Sequence, residues 1–319
     1  MAILVGIDEA GFGPILGPLV VSSCAFSLPV HLVKADLWQV LRRSVGNQRK
    51  HLAGRLLIAD SKKAYSKSIG IKHLERTATA CLKCLYRQPA TLTELLVMLC
   101  PEFVDRLDSY PWYRRTDTHK IVVDEADTAI ASEVLKNDLA SNGMELVTIR
   151  SCCLDVAYYN EMMAAVKNKA NVLFTATSRL IKQAVDNFGR SKLQIVIDRQ
   201  GGRVHYRSNL QRMFADADLA ILHESPAASS YELRSADKKV RLHFVVGADE
   251  RFLPVSLASM VSKYLRELLV DSINRYFTGF WPDLRPTAGY WKDGLRFVKD
   301  LKTSIPHVEY DTSRLIRCR

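Results

Sequence analysis

Long apolar runs are missing from this chain of 319 residues. Nowhere do about eighteen apolar residues follow one another, so no membrane-spanning helix is expected. No Gly-Lys pair occurs either, which removes a G-x-x-x-x-G-K-[ST] phosphate loop. The acidic stretch VVDEAD (122–127) spells the box of a helicase motor but is thereby left without the partner loop such a motor needs. None of the eight histidines has H-E-x-x-H spacing or a nucleophile elbow beside it, which leaves zinc-protease and serine-hydrolase chemistry unsupported. Cysteine is sparse and irregular: seven residues, at 24, 81, 84, 100, 152, 153 and 318, in a chain with no export signal, so a disulfide framework is not expected. The pair CLKC (81–84) falls on a helical apolar pattern with Ile71, Leu74, Ala78 and Leu85 and has no second CxxC to answer it. It reads as core packing, because a closed zinc site wants about four ligands. The start, MAILVGIDEAG, lacks a basic leader, and a cytoplasmic location is expected.

What is present is a hydrophobic content of 48% with 25% charged residues, enough for a sizeable core. The formal charge is +11, an excess that concentrates anionic partners such as nucleic acid at the surface. It gathers early, in RRSVGNQRKHLAGR (42–55) and KKAYSKSIGIKHLER (62–76), where a solvated basic face is an equally good reading. No repeat, low-complexity tract or Gly/Ser linker marks a boundary, so residues 1–319 are taken as one domain.

Residues 2–8 and 19–27 read as strands joined by a Gly/Pro-rich turn, an antiparallel start to a sheet. A helix is expected over 71–86. The stretch 87–150 mixes helical patches, the Pro-bounded SYPWYRR and a strand at IVVDE (121–125). A helix over 175–188 then leads into the strand LQIVID, which ends on Asp198, and a later strand, LHFVVGAD, precedes a long helix over about 255–276 with apolar i, i+4, i+7 spacing. Strands followed by alternating strands and helices predict an α/β fold with a mixed sheet.

The stretch GIDEAGFGPILGP (6–18) poses a chemical question. A glycine-rich turn after a first strand suits a phosphate, yet Asp8 and Glu9 would repel one. The third glycine is also one place late for a dinucleotide fingerprint. Asp8 and Glu9 end the first strand and Asp198 ends the LQIVID strand, so one sheet edge can bring them together. Clustered acids repel unless cations neutralise them. Magnesium or manganese suits an all-oxygen cluster, and two ions about 4 Å apart serve phosphodiester hydrolysis. The acids would then hold metal, and the glycines would let a nucleic-acid backbone approach.

Four segments resemble ribonuclease HII, the type 2 ribonuclease H family: GIDEAGFGPILGPLVV, IADSKK (58–63), IVID (195–198) and ADERFLPVSLASMVSKYLREL (248–268). NVLFTATSRLIKQAV (171–185) is similar to the family's N-I-L-x-A-T helix. TAGYWKDGLRF with the basic LIRCR is a weaker match to its G-Y segment and tail. The resemblance implies a ribonuclease H-like fold, with an inserted segment at about 87–150 and a helical, substrate-binding C-terminal part at about 278–319. It implies cleavage of RNA in RNA/DNA hybrids and incision at ribonucleotides embedded in DNA, using two Mg2+ or Mn2+ ions; no obligate protein partner is evident in the sequence, and a monomer is expected. Asp8, Glu9 and Asp198 become metal-binding catalytic acids, and Glu267 falls where the family's fourth acid, an aspartate, is expected. Read without the resemblance, Lys263 and Glu267 are an i, i+4 ion pair on a helix face. Gly11, Phe12 and Gly13 take the place of the family's G-R-G turn, which with a tyrosine matching Tyr290 recognises the ribose 2′-hydroxyl, and Lys62 becomes a phosphate contact. Phe12 replaces an arginine. That departure and Glu267 leave open a diverged protein that binds structured nucleic acid without cutting it.

Overall fold

Strand β1 (Ala2–Ala10) is buried along its whole length except at half-buried Glu9, and up to Ile7 its sequence is a continuous apolar run rather than an alternating one. It is the centre of the molecule. A computed structural model describes residues 1–66 and 68–318. On one side β1 pairs antiparallel with β2 (Leu19–Leu28), Ala10 opposite Val20. Beyond β2 lies antiparallel β3 (Glu145–Leu154). On the other side β1 pairs in parallel with β4 (Lys192–Asp198), Ile7 opposite Ile197. Three further strands follow, β5 (Asp218–Glu224), β6 (Ala228–Ser235) and β7 (Lys238–Val245). The last runs parallel to β4, with Asp198 opposite Val245, and β6 and β5 extend that edge antiparallel. The sheet order is β3-β2-β1-β4-β7-β6-β5. Its first five strands, three antiparallel and then two parallel to β1, form the expected mixed sheet, lengthened by the β5–β6 hairpin.

Helices cover both faces. Against Leu4, Val20, Cys24 and Phe26 pack α1 (Lys72–Leu85), α2 (Leu92–Leu99), α3 (Glu125–Ser141) and the long α6 (Leu253–Thr278). Against Ile3, Val5, Ile7, Val21 and Ala25 pack α4 (Val156–Val166) and α5 (Lys169–Phe188). Cys81 belongs to the first of these cores. The α6 helix lies directly on β1. A β-carbon on Gly6 would fall 2.2 Å from the backbone of Pro254 and Val255, so only glycine admits the helix this close.

The expected strand IVVDE does not form. Val122 is 80% exposed, and the Asp124 side chain accepts from the Asp127 N–H at 3.0 Å, so this stretch is the lead-in and N-cap of α3. Residues 87–150 also hold α2, short 3-10 turns and the first residues of β3. The helix expected over 175–188 starts earlier, at Lys169, because Asn168 caps it through the Ala170 and Asn171 N–H groups. The C-terminal segment carries α7 (Trp291–Ser304) and returns to the glycine turn. There Ile15 and Leu16 N–H donate to the Gly289 carbonyl, and the Arg317 N–H donates to the Ile15 carbonyl at 2.8 Å. Among the described residues no helix is long and apolar enough to cross a membrane.

Candidate active site

Three parallel strands, β1, β4 and β7, end at the same edge, and each ends in acid. Asp8 and Glu9 close β1, Asp198 closes β4, and Asp249 follows β7 in a single 3-10 turn (Ala248–Glu250) entered through Gly247 at φ 61°. Asp60 joins them from the loop ahead of the short helix Ser61–Ala64, which it caps by accepting from the Lys62 N–H at 2.9 Å. All five carboxylates line one cavity of about 190 Å³.

The fold fixes several of them tightly. Asp8 is 6% exposed and points to the α6 face, where the Ser262 hydroxyl donates to its carbonyl at 3.0 Å. The Asp198 carboxylate accepts from the Ala248 N–H at 2.7 Å, which ties the end of β4 to the turn bearing Asp249. Ser256 donates to the Asp249 carbonyl.

So many acids in one buried place do not all ionise easily. Burial, then Glu9 and Asp198, push the Asp8 carboxyl well above its usual range. Glu9 is pushed up to about 8 by burial and by Asp198 and Asp249. Asp249 is pushed up to about 7 by burial, Asp60 and Asp198. Asp198 is raised by burial despite its backbone donor. Lys62 is raised as well, which here favours the charged form: neighbouring Asp60 holds its ammonium protonated, and Asp249, Asp8 and Asp198 add to the effect.

The expected fourth acid, Glu267, is not among them. On α6, Ser259, Lys263 and Arg266 face the cavity at i, i+4 and i+7. Glu267 is turned about 100° further round and lines a separate hollow with Glu75, His119 and Asp271. It takes Lys263 at 2.6 Å and Arg266 at 3.2 Å, so the i, i+4 pair is what forms, on a largely buried face rather than a solvated one. Asp249, not Glu267, lines the cavity with Asp8, Glu9, Asp60 and Asp198. The sequence signal for it was the A-D that opens ADERFLPVS, and Asp60 opens DSK in the same way.

The glycine turn forms the rim. Gly11 has φ 93°, and Gly13 has open space around it for 4 Å. The Arg266 guanidinium lies beneath, 1% exposed, donating to the Ala288 carbonyl at 2.9 Å and sitting 5.7 Å from the Tyr290 ring. It joins the turn to the segment that presents half-exposed Tyr290. Phe12 is half-buried, with the Lys169 ammonium 5.3 Å from its ring. Of the residues expected at the site, Asp8, Glu9, Asp198, Gly11, Phe12, Gly13, Lys62 and Tyr290 line this one cavity, and Glu267 does not.

The donor set is hard oxygen throughout, and its mutual repulsion is what a divalent cation relieves. Among the described residues no three acidic, histidine or cysteine side chains close on a single point as a finished metal cage. The carboxylates instead face a shared hollow.

No protein-family model matches this chain, and no curated protein does. Solved structures do. The chain is similar to RNase HII of Archaeoglobus fulgidus, seen in its PCNA complex, with 15% identity over 99% of this chain and 94% of that one at a TM-score of 0.43. It is similar to ribonuclease H2 of Pyrococcus horikoshii OT3, with 12% identity over 98% and 92% at 0.42. For Bst-RNase HIII in complex with Mn2+ the figures are 14% identity, 99% and 66% at 0.41. Over nearly its whole length the chain is similar to solved ribonucleases HII, HIII and H2, the group its sequence motifs resemble.

Proposed function

We propose that this protein is a metal-dependent endoribonuclease. It hydrolyses the RNA strand of RNA/DNA hybrids and incises at ribonucleotides embedded in duplex DNA, leaving 5′-phosphate and 3′-hydroxyl ends. One observation carries the reading: Asp8, Glu9, Asp198 and Asp249 stand at the carboxyl ends of three adjacent parallel strands, around one cavity, beside an open glycine turn.

In this reading those four carboxylates hold Mg2+ or Mn2+. Bound ions of this kind lower the pKa of a water and offset charge on a leaving oxygen. The chain's own groups do the rest. Gly13 leaves room for a sugar-phosphate backbone to reach the acids, since nothing lies within 4 Å of where its β-carbon would be. Lys62 stands at the rim as a phosphate contact, its ammonium kept charged by the acids around it. The backbone of Gly11–Gly13 and the Tyr290 hydroxyl read the ribose 2′-hydroxyl, the group that separates RNA from DNA at a single position. Asp60 keeps the short helix capped so that Lys62 faces the cavity.

Of the two departures that favoured a protein that only binds, Glu267 carries less weight, since it lines a separate hollow while Asp249 lines the acid cavity. The direct test is a duplex with one embedded ribonucleotide, incubated with magnesium or manganese and resolved by size. A single nick on the 5′ side of the ribonucleotide is expected, leaving 5′-phosphate and 3′-hydroxyl termini. Tight binding of that duplex with no nick under either metal would favour the binding-only reading.

A further inference from the structure

A second cavity, of about 920 Å³, lies at the other end of β1. Ala2 lines it, whereas Asp8 lines the acid cavity, so six strand residues, roughly 20 Å, separate the two. The groove is bounded by the 30–34 turn on one side and the β6–β7 hairpin on the other. Its walls carry seven lysine and arginine side chains against one carboxylate, Asp237. Part of this charge is set in place from below. Glu232, 1% exposed, takes Arg234 at 2.5 Å and Arg241 at 2.7 Å, and the hydrogen bond from Arg241 leads those holding its carboxyl down at about 2. Asp237 takes Arg190 at 2.7 Å. Lys34, Lys192 and Lys238 also line the groove and, among the described residues, form no ion pair.

We propose that this groove binds the phosphodiester chain of a single nucleic-acid strand, separate from the duplex in the acid cavity. The excess of cations demands a polyanion. Arg234 and Arg241 line the groove while tied to the buried Glu232, and the planar guanidinium fork suits phosphate oxygens. Concavity decides between strand and duplex: a flexible strand can follow the walls of a hollow of about 920 Å³, whereas a duplex is a stiff rod with a persistence length of about 150 base pairs. For the same reason a duplex seated at the acid end does not bend back round the sheet edge to reach this groove.

The experiment measures anisotropy of a labelled single-stranded DNA oligonucleotide with the full chain at low salt and in EDTA, so that it does not depend on any nuclease activity. The variant Lys34→Glu/Lys192→Glu/Lys238→Glu is compared with Lys50→Glu/Lys83→Glu/Lys136→Glu, which changes the net charge equally elsewhere. Circular dichroism checks that each is folded. The groove variant is expected to bind at least about tenfold more weakly and to lower the slope of log Kd against log salt by about 2, near 0.7 for each phosphate that is no longer neutralised. The control triple is expected to stay within about threefold of wild type. Equal weakening by both triples would reduce the effect to general charge and overturn the proposal. So would displacement of the oligonucleotide by inorganic phosphate as readily as by an unlabelled strand of equal phosphate content, which would make the groove a small-anion site. Should the glutamate triple fail to fold, the same three lysines changed to glutamine are expected to weaken binding about threefold or more, and no weakening there overturns the proposal.

Discussion

Arg266 occupies the space that a side chain at position 11 would need: a β-carbon on Gly11 would lie 2.8 Å from Arg266 Cδ and 2.7 Å from the Pro18 carbonyl oxygen. The turn that faces the acids is therefore held in shape from underneath by a buried arginine. Gly11→Ala is accordingly expected to displace the turn rather than merely strain it. A positive φ with such contacts costs about 1–3 kcal/mol, and a shift near 1 Å at a reacting centre about a hundredfold in rate. Urea denaturation and kcat/KM on a hybrid substrate measure the two. A variant that lost stability but kept full kcat/KM would detach the turn from catalysis.

Asp249 lines the acid cavity, whereas Glu267 lines a separate hollow. Asp249→Asn and Asp198→Asn are expected to abolish cleavage in magnesium and manganese. Both remove repulsion from a cavity whose carboxyls are already pushed towards protonation, so the metal-free Tm is expected to hold or to rise by a few degrees, the scale of about 1 kcal/mol. Glu267→Gln is expected to keep turnover within about threefold while lowering Tm, since it loses the Lys263 ion pair on a largely buried face. Loss of turnover in Glu267→Gln with normal turnover in Asp249→Asn would reverse the assignment.

Legibility in the sequence followed burial. Strands β1, β2, β4 and β7 and helix α6 were readable because each is an uninterrupted or periodic apolar run. The β5–β6 hairpin was not, because β5 is almost wholly exposed and its DLAILHE has no buried face to set a period. IVVDE (121–125) reads as a strand but its apolar residues are spent on the lead-in to α3. At the site, Asp8, Glu9 and Asp198 were legible as acids at strand ends. Asp249 was less so, being separated from β7 by a left-handed glycine. Glu267 is not brought to the cavity for a geometric reason: motif spacing says which helix a residue is on, whereas only the rotation of α6 about its axis says that Lys263 and Arg266 look into the cavity and Glu267 away from it.

His243 gives the protein an acid-side weakness. Its ring lies between the Ser230 hydroxyl and the Gln194 side-chain oxygen, both at 2.9 Å, and burial, then Arg241, lowers its pKa to about 4. The unfolded chain takes up this proton near pH 6.5 and the folded one only near pH 4, so between those values the unfolded state binds more protons. The contribution is complete above about pH 6.5 and is lost as pH falls towards 4, on the order of 2 kcal/mol. Urea midpoints at pH 7 and pH 4.5 are expected to converge in His243→Gln relative to wild type. An unchanged difference would place the acid sensitivity elsewhere.

Phe12 and Lys169 are expected to behave as one unit. The resemblance puts an arginine where Phe12 stands, and the Lys169 ammonium lies 5.3 Å from that ring, at the first residue of α5. A cation over an aromatic face is attracted by about 0.5–1 kcal/mol at an exposed site, enough to bias where the ammonium rests but not to neutralise it. Lys169 brings a cation beside the turn at whose position 12 the resemblance expects an arginine. Lys169→Ala is expected to raise KM for a hybrid several-fold with kcat nearly unchanged, the pattern of a contact equally strong in ground and transition states. Phe12→Arg restores charge at the turn itself, so in the Lys169→Ala background it is expected to bring KM back, whereas in wild type it adds a second cation where one already serves. The coupling between the two changes, read from the double-mutant cycle, is expected to exceed about 0.5 kcal/mol. Simple additivity of the two effects on KM would mean that the lysine and the turn meet the substrate independently, or that the lysine does not meet it at all.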